Sequence, residues 1–328
     1  MKFLSVVLVV GTALALGACQ QQSEQGEEAP AGMGNAVPAV SPPATAPDGT
    51  VYPFDAVDDL DATEGLIAVR SGETLQIGSL EDLTNGAAAR YLLDSRCTDV
   101  TANAGVFTVA CADDIHTFTA AGKKDLAVPS PVSAAARTST GEIVAGSAGQ
   151  RRVTVFRDGE GEKSFDVARE SDRILASQRP GQADSVVRIN YFDTTIQGID
   201  WENNRQGATL RAGLGVASVA AGRDGMFIAA DATGSQLLVY NTDDIIRLQM
   251  TAPVAKSPWA VAWDDTNELA WITSTATNTA EGYSLSTGVP IKRETHATVA
   301  DAQHMVVLEN GTLLIASASG AGLQVIAP

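Results

Sequence analysis

Histidine and cysteine are scarce in this chain of 328 residues, with three of each, and the histidines lie far apart at His116, His296 and His304. Such spacing does not give the Cys/His cluster of a zinc site. The sequence also lacks a Gly-x-Ser-x-Gly nucleophile motif, a Gly-x-x-x-x-Gly-Lys phosphate loop and an Asp-x-Asp-x-Asp-Gly calcium loop. These absences predict no catalytic residues, no resident metal and no cofactor.

Basic residues are few as well. The chain has 22 lysines and arginines against 39 aspartates and glutamates, which gives a formal net charge of −17. An acidic surface repels phosphate backbones and anionic headgroups, so we expect neither nucleic-acid binding nor a polybasic membrane patch. Beyond the first 18 residues no apolar run is long enough to cross a bilayer.

The first 19 residues carry an export signal that ends in a cysteine. Lys2 precedes an apolar run from Phe3 to Leu16, and small residues follow, which is the order of a secretory signal. Leu16-Gly17-Ala18-Cys19 resembles the lipobox of bacterial prolipoproteins, in which the cysteine receives the lipid, typically including palmitate. The resemblance implies a signal peptide at 1–18 and a lipidated Cys19 that holds the chain at the extracytoplasmic face of the cell membrane. The alternative is an ordinary secretory signal with a chance cysteine.

The composition changes after the signal. The segment 19–50 is rich in Gln, Ala, Pro and Gly and has no aromatic residue and no hydrophobic period. A segment of this kind cannot offset its ordering entropy by burial, so we predict a disordered tether that follows the lipidated cysteine. Its expected average reach is about 30 Å. The folded domain is expected at 51–328.

From Val51 onward, short β-rich runs alternate with turn signals and form an internal repeat, whose clearest copies lie at 218–230, 259–272 and 305–316. The hairpin turns of successive copies are Gly65, Gly105, Gly141, a poor copy near Ala183, Gly225, Asn267 and Gly311. A period of about 41 residues with three to four short strands per unit is typical of a β-propeller. We therefore predict an all-β fold with seven blades. A two-sheet sandwich, which has no constant period, and a six- or eight-bladed ring are the alternatives.

Cys97 and Cys111 are the two cysteines that remain after Cys19. In an exported protein such a pair predicts a disulfide. A hairpin centred on Ala104 supports this, because both cysteines are equally distant from it and therefore lie opposite each other across two strands. The alternative is two buried free thiols.

The last repeat unit has three strands and then reaches Pro328. Val51–Val57 precedes the first unit and has no other partner. We predict that this segment adds the outer strand to blade seven and closes the ring, which removes two exposed sheet edges. Pro53 must then lie on the outermost, solvent-facing side.

The signal, the tether and the repeats together resemble bacterial lipoproteins whose exported part is a seven-bladed propeller, in the broad YVTN/NHL and quinoprotein-like group. Among these, the chain is most similar to the prolipoprotein LppL family of actinobacteria. The similarity rests on architecture and composition, and no residue signature carries functional residues over. It implies a cell-envelope protein of unassigned molecular activity.

The channel mouth is the position where propellers usually bind ligands, because the inner strands of all blades begin there. The expected mouth residues with polar side chains are Asp58, Thr98, Ser218 and His304. One aspartate, one histidine and two hydroxyls at this point are able to hold a small polar ligand or a cation. The alternative is a set of polar side chains that hydrate an empty channel.

Two functions follow from these observations. The first is a non-catalytic, monomeric binding or scaffold module, anchored to the membrane through Cys19, whose partner is an envelope protein or glycan. The second is a metal-dependent hydrolase of the lactonase type, in which Asp58 and His304 hold a divalent cation at the channel. The second function requires those two side chains to converge on one point.

Overall fold

The computed structural model describes residues 33–157 and 161–328, which form seven small antiparallel sheets; six have four strands and one has three. The signal peptide at 1–18, Cys19 and the tether as far as residue 32 lie outside the described residues. Within the described part, no helix is long and apolar enough to cross a membrane. The sheets confirm the predicted all-β propeller with seven blades.

The strands follow the chain in order from blade to blade. Strand β1 (Thr50–Tyr52) precedes the first blade. Blades one to three contain β2 (Asp59–Thr63), β3 (Leu66–Ser71), β4 (Thr74–Gly78), helix α1 (Leu80–Asn85) and β5 (Ala89–Leu92); β6 (Val100–Asn103), β7 (Val106–Thr119) and β8 (Gly122–Val132); β9 (Ala134–Arg137), β10 (Ile143–Ser147), β11 (Gln150–Arg157) and β12 (Gly161–Asp166).

Blades four to seven have the same order of strands. They contain β13 (Arg173–Ser177), β14 (Ser185–Asn190), β15 (Thr195–Asp200) and β16 (Arg205–Arg211); β17 (Val216–Ala221), β18 (Phe227–Asp231), β19 (Gln236–Asn241) and β20 (Arg247–Pro253); β21 (Pro258–Asp264), β22 (Leu269–Ser274), β23 (Thr279–Ser284) and β24 (Ile291–Ala297); β25 (Ala302–Val307), β26 (Leu313–Ser317) and β27 (Leu323–Ile326). The first strand of each blade is innermost.

Blade seven closes the ring with strands from both ends of the described chain. Its sheet has the order β1-β27-β26-β25, and Thr50 pairs with Val325 while Tyr52 pairs with Leu323. This confirms the predicted closure, although the closing strand is limited to Thr50–Tyr52. Gly49 precedes it at φ +70°, and a Cβ there would lie 2.2 Å from the Val325 carbonyl oxygen.

The repeat marks correspond to tight turns between the first and second strands. Ala104 and Gly105 both have positive φ, +46° and +72°, which is the geometry of a two-residue type I′ hairpin. Blade four differs, because seven residues, 178–184, connect β13 and β14. The equivalent connections of the other blades have only two to five residues, and this greater length explains the poor copy near Ala183.

The core is a ring of seven hydrophobic clusters among the described residues, and each cluster fills the space between two neighbouring blades. Between blades four and five, for example, Val187 and Ile189 pack with Phe227 and Tyr240, all of which are buried. Strand side chains alternate between the two faces of a sheet, so each blade contributes to two clusters. The hydrophobic core is therefore distributed between the blades, and polar residues occupy the central axis of the propeller.

Cys97 and Cys111 form the predicted disulfide, with an S–S distance of 2.04 Å. The hairpin pairs Val100 with Val109, a register that alone would not bring the cysteines opposite each other. The Thr98 N–H donates to the Ala110 carbonyl at 2.8 Å, so the register shifts by one residue ahead of β6. This shift aligns the two cysteines.

Residues 33–49 lie against the propeller, and we call this segment the strap. It follows the face that carries the blade-to-blade connections and the loops between second and third strands. The Gly34 N–H donates to the Leu214 carbonyl at 3.0 Å, and the Ala39 N–H donates to Ser257 Oγ at 2.9 Å. Farther along, Asn278 Nδ2 donates to the Pro42 carbonyl at 2.7 Å. This part of the expected tether is therefore bound to blades four to seven.

Candidate functional site

The inner strands surround an axial cavity of about 220 Å³. Blades five and six present small side chains to it, from Ser218–Ala221 and Ala260–Ala262, whereas blades one, four and seven present charged or polar groups. The polar groups come from Asp59, Asp61, Arg173 and His304 and are described here as the channel cluster, together with Asp99 at its edge.

Arg173 is the centre of the channel cluster. It begins β13 in blade four, yet its guanidinium lies 3.4 Å from Asp61, 3.9 Å from Asp59 and 3.2 Å from Asp99, which belong to blades one and two. Nη2 also donates to the Val100 carbonyl at 3.2 Å. Blade three lies between these blades, and its inner strand begins with three alanines, whose methyl groups leave room for the long side chain.

The carboxylates hold Arg173 in its charged form, although burial disfavours the charge of Asp59 and Asp61. Burial raises the pKa of Asp59 to about 6 against the opposing effect of Arg173. Burial and the neighbouring Asp59 raise the pKa of Asp61 well above its ordinary value. Burial works against the guanidinium charge, but Asp59 and Asp99 keep the pKa of Arg173 above its usual value. One cation therefore sits among three acids, two of which ionise reluctantly.

His304 lines the cavity from β25 in blade seven. Burial lowers the pKa of its imidazole to about 4, and the positive charge of Arg173 adds to this effect. The imidazole is therefore neutral at pH 7. Ser218 also lines the cavity, but its hydroxyl donates to the Trp259 carbonyl at 2.5 Å.

The structure brings Ser218 and His304 to the cavity, but not Asp58 and Thr98. The Asp58 carboxylate accepts from the Gly72 N–H at 2.6 Å and so binds the turn between β3 and β4. Thr98 Oγ1 donates to the Ala110 carbonyl at 3.1 Å, beside the disulfide. The reason is the register of the strand. Successive side chains of a strand point to opposite sides, and β2 begins at Asp59, so Asp59 and Asp61 face the cavity and Asp58 does not.

Sequence reasoning missed four residues of the channel cluster: Asp59, Asp61, Asp99 and Arg173. The spacing of Asp59 and Asp61 was a usable signal, because two acids at period two lie on one side of a strand. No comparable signal marked Arg173, because it begins the inner strand of the repeat copy that could not be placed.

A groove lies on the opposite face of the ring, where loops join first to second and third to fourth strands in blades three to five. Two adjoining cavities of about 620 and 1100 Å³ form it. Its lining is mixed, and its apolar members Val186, Ile199, Trp201 and Ile246 are almost fully buried. Four arginines lie along its edges: Arg137, Arg157, Arg179 and Arg205.

Hydrogen bonds hold the groove in shape. Trp201 Nε1 donates to the Asp184 carbonyl at 2.8 Å, and Arg157 donates to the Trp201 carbonyl at 2.6 Å. The buried Asp184 carboxylate accepts from Asn103 Nδ2 at 2.8 Å and from Ser139 Oγ at 2.6 Å, which ties the 178–184 loop to blades two and three. The groove is therefore a preformed surface.

The arginines of the groove differ in how far they are neutralised. Arg205 pairs with Asp200 at 2.6 Å. Within residues 33–157 and 161–328, Arg137 and Arg179 form no ion pair, and Arg179 reaches only the Asp243 carbonyl, at 3.4 Å. Glu142 and Glu202 also line the groove, so its charge is mixed.

No family model matches the chain, and no curated protein matches it. Solved structures do resemble it. One is a chain of the mitotic checkpoint complex, with 14% identity over 89% of this chain and 98% of that chain and a TM-score of 0.65. Another is streptogramin B lyase, with 10% identity, 85% and 96% coverage and a TM-score of 0.65. A third is virginiamycin B lyase from Staphylococcus aureus, with 13% identity, 83% and 95% coverage and a TM-score of 0.63. The TM-scores show that the chain shares the fold of these proteins, and at such low identities the similarity shows the fold alone.

Proposed function

We propose that this chain is a lipid-anchored, non-catalytic binding module of the bacterial cell envelope. The proposal depends on one observation: Arg173 occupies the point at which Asp59, Asp61 and Asp99 converge. A divalent cation requires oxygen ligands around itself at 2.0–2.6 Å, and in this chain a guanidinium already lies among those oxygens. The channel cluster is then an internal ion network that joins blades one, two and four.

The groove is the surface that we assign to the partner. The groove combines apolar side chains at its base, Trp201 among them, with arginines at the edge, and tryptophan and arginine are enriched in protein-binding hot spots. An envelope protein with an apolar side chain and a neighbouring acidic group fits this composition best. An anionic envelope glycan shares the acidic group but not the apolar anchor.

The membrane location rests on the lipobox at Leu16–Cys19. A chain lipidated at Cys19 stays at the extracytoplasmic face of the membrane and meets only partners that are exported or built there. The three similar structures include one from a multiprotein complex, which agrees with a binding role for this fold without specifying a partner.

The test is capture of envelope components by the lipid-free chain 20–328, compared with charge reversal in the groove. We expect Arg137→Glu with Arg179→Glu to lose the captured component, whereas Arg90→Glu retains it. Arg90 is a matched control because it is exposed on β5 and forms no ion pair within the described residues. If the groove variant still captured the component, the groove would not be the binding surface. If the captured component were a polysaccharide, the partner would be a glycan and not a protein.

A second candidate is catalysis at the channel with a divalent cation. Three carboxylates and His304 meet there, and two of the similar structures are lyases. This candidate predicts magnesium- or manganese-dependent turnover of lactones or related esters that Asp61→Asn abolishes. We expect no turnover and no heat of metal binding in calorimetry with the purified domain. Metal-dependent turnover lost in Asp61→Asn would replace the binding module as the function.

A further inference from the structure

We infer that the strap face of the propeller rests on the lipid bilayer to which the chain is anchored, through an apolar patch beside the point where the strap begins. The inference rests on the proposed lipidation of Cys19. The patch consists of side chains that are between about half and almost fully exposed: Met33 (60%), Val37 (80%), Val40 (94%), Phe192 (72%) and Leu214 (46%).

The patch combines residues of the strap with residues of the loops beneath it. Gly34 donates its N–H to the Leu214 carbonyl at 3.0 Å, and a Cβ on Gly34 would lie 3.2 Å from the Phe192 carbonyl oxygen. Met33, Phe192 and Leu214 therefore surround one point on the loops of blades four and five. Val37 and Val40 extend the patch toward blade six.

The strap is fixed, so these side chains cannot turn inward. Ser41 Oγ donates to the Thr275 carbonyl at 2.8 Å and accepts from the Asp301 N–H at 2.8 Å, and together with the Asn278 bond this holds the middle of the strap. Backbone groups of Gly34, Ala39, Pro42 and Asp48 also bind the propeller. Apolar side chains as exposed as Val40 are left on its outer surface, where an isolated soluble domain gains nothing from them.

The length of chain between the strap and Cys19 identifies the bilayer as the occupant. Thirteen residues lie between Cys19 and Met33, and even fully extended this stretch spans at most roughly 50 Å. If the whole segment to Thr50 were free, the limit would be roughly 110 Å. The strap thus reduces the maximum distance between Cys19 and the propeller to less than half. It also places the point at which the chain leaves the propeller beside the patch.

Charge explains why the contact is apolar. The chain carries a net charge of −17, so anionic headgroups repel most of its surface. Three arginines lie beside the patch. The Arg211 guanidinium is 2.8 Å from Met33 Sδ, and Arg151 and Arg169, which pair with Glu170 and Asp193, line a cavity together with Phe192. Apolar side chains that enter the headgroup region, with arginines next to them, fit a shallow contact that the lipid anchor keeps at high local concentration.

This orientation directs the groove away from the membrane. In a four-stranded antiparallel blade, the loops between second and third strands lie on one face, and the loops between first and second strands lie on the other. The patch lies on the first face and the groove on the second. A partner would then approach the groove from the side opposite the bilayer.

The test uses the lipidated protein reconstituted in vesicles of phosphatidylethanolamine and phosphatidylglycerol, with an environment-sensitive fluorophore on a single introduced cysteine. We expect the Phe192→Cys probe to shift to shorter wavelength and to lose most of its fluorescence to headgroup-labelled quencher lipids. The matched control is Val289→Cys, which is similarly exposed (62%) but lies between β23 and β24 on the groove face. Its fluorescence should not change.

Other outcomes overturn the inference. An unquenched probe at 192 in lipidated protein contradicts it. A spectral shift at 192 that also occurs in the lipid-free domain and grows with protein concentration assigns the patch to a second copy of the chain instead. In a Leu214→Cys background, Phe192→Ser with Val40→Ser should reduce the quenching. Mass spectrometry that finds no lipid on Cys19 refutes the proposed anchoring, separately from the docking.

Discussion

At the scale of single residues, Arg173 has the largest role that the structure assigns. It joins blade four to blades one and two across the axis, where the hydrophobic clusters do not reach. Its partners Asp59 and Asp61 are held in surroundings that disfavour their charge. The positive charge of Arg173 therefore offsets the repulsion and burial cost of three neighbouring carboxylates at the centre of the molecule.

Arg173→Met should strongly destabilise the fold, because it leaves the acids facing one another without a cation. Removal of one partner from a buried ion pair typically costs about 3–5 kcal/mol. We expect a loss of this size in the free energy of unfolding at pH 7.5, measured by denaturant titration, and a smaller loss at pH 5, where the acids protonate. Arg90→Met is the control and should change little. An unchanged midpoint for Arg173→Met would contradict the structural role of the cluster.

Asp59 and His304 should influence the pH dependence of stability in opposite directions. The pKa of Asp59 is about 6 when folded and 3.8 as a free group, so its contribution is fully present below pH 3.8 and is lost as pH rises through 6. The pKa of His304 is about 4 when folded and 6.5 as a free group, so its contribution is lost as pH falls from 6.5 to 4.

The check is unfolding measured from pH 4 to pH 7.5 in two variants. Relative to the native chain, Asp59→Asn should gain most at pH 7.5, whereas His304→Gln should gain most near pH 4. Parallel curves for the native chain and both variants would show that neither group has the assigned environment.

At the scale of elements, β1 completes blade seven with only three residue pairs. So short a strand needs close backbone contact, and Gly49 provides it. Gly49 and Gly72 both have positive φ, +70° and +60°, but only Gly49 would place a Cβ against another backbone atom, whereas Gly72 has open space.

Alanine variants of these two glycines distinguish a steric clash with a neighbouring backbone atom from the strain of a positive φ. Gly72→Ala should cost about 1 kcal/mol, because alanine disfavours positive φ. Gly49→Ala should cost about 1–3 kcal/mol more, because the chain must move away from Val325. Hydrogen exchange of the β27 amides should also become faster in Gly49→Ala. Equal costs for the two variants would show that β1 does not depend on this contact.

The disulfide is the second element-scale device, because it ties the connection before β6 to β7. Cys97→Ser with Cys111→Ser should lower the free energy of unfolding by about 2–4 kcal/mol, the usual effect of opening a loop of this size. Thermal unfolding of the double variant and of the reduced native chain checks this, and the two should agree. A double variant as stable as the native chain would contradict the prediction.

Much of the fold was predictable because its signals are local. Short connections between first and second strands favour positive φ, so glycine marks five of the seven blades, and the period of these marks gave the number of blades. The channel cluster was less predictable for two reasons. Which side chains face the cavity changes with a shift of one residue in the strand register, and Arg173 joins blades that are distant in sequence. The strap was not predictable from composition. Several of its bonds use backbone groups, those of Gly34, Ala39 and Pro42, and the side-chain bonds of Ser41 have no recognisable sequence pattern.

At the scale of the whole molecule, Cys19 is expected to determine location. Cys19→Ala should move the protein from the membrane fraction to the soluble envelope fraction or the medium, and it should abolish incorporation of a labelled fatty acid. The circular dichroism of the released domain should match that of the native domain, because residue 19 precedes the strap. Retention of Cys19→Ala in the membrane fraction would contradict lipid anchoring.

The closure of blade seven has a consequence for biogenesis. The sheet takes its outer strand from the beginning of the folded domain and its other three strands from the end. Synthesis proceeds from the N-terminus, so a nascent chain that ends before β27 cannot contain a complete ring. Under the export that we propose, the ring therefore closes only after β27 has been translocated.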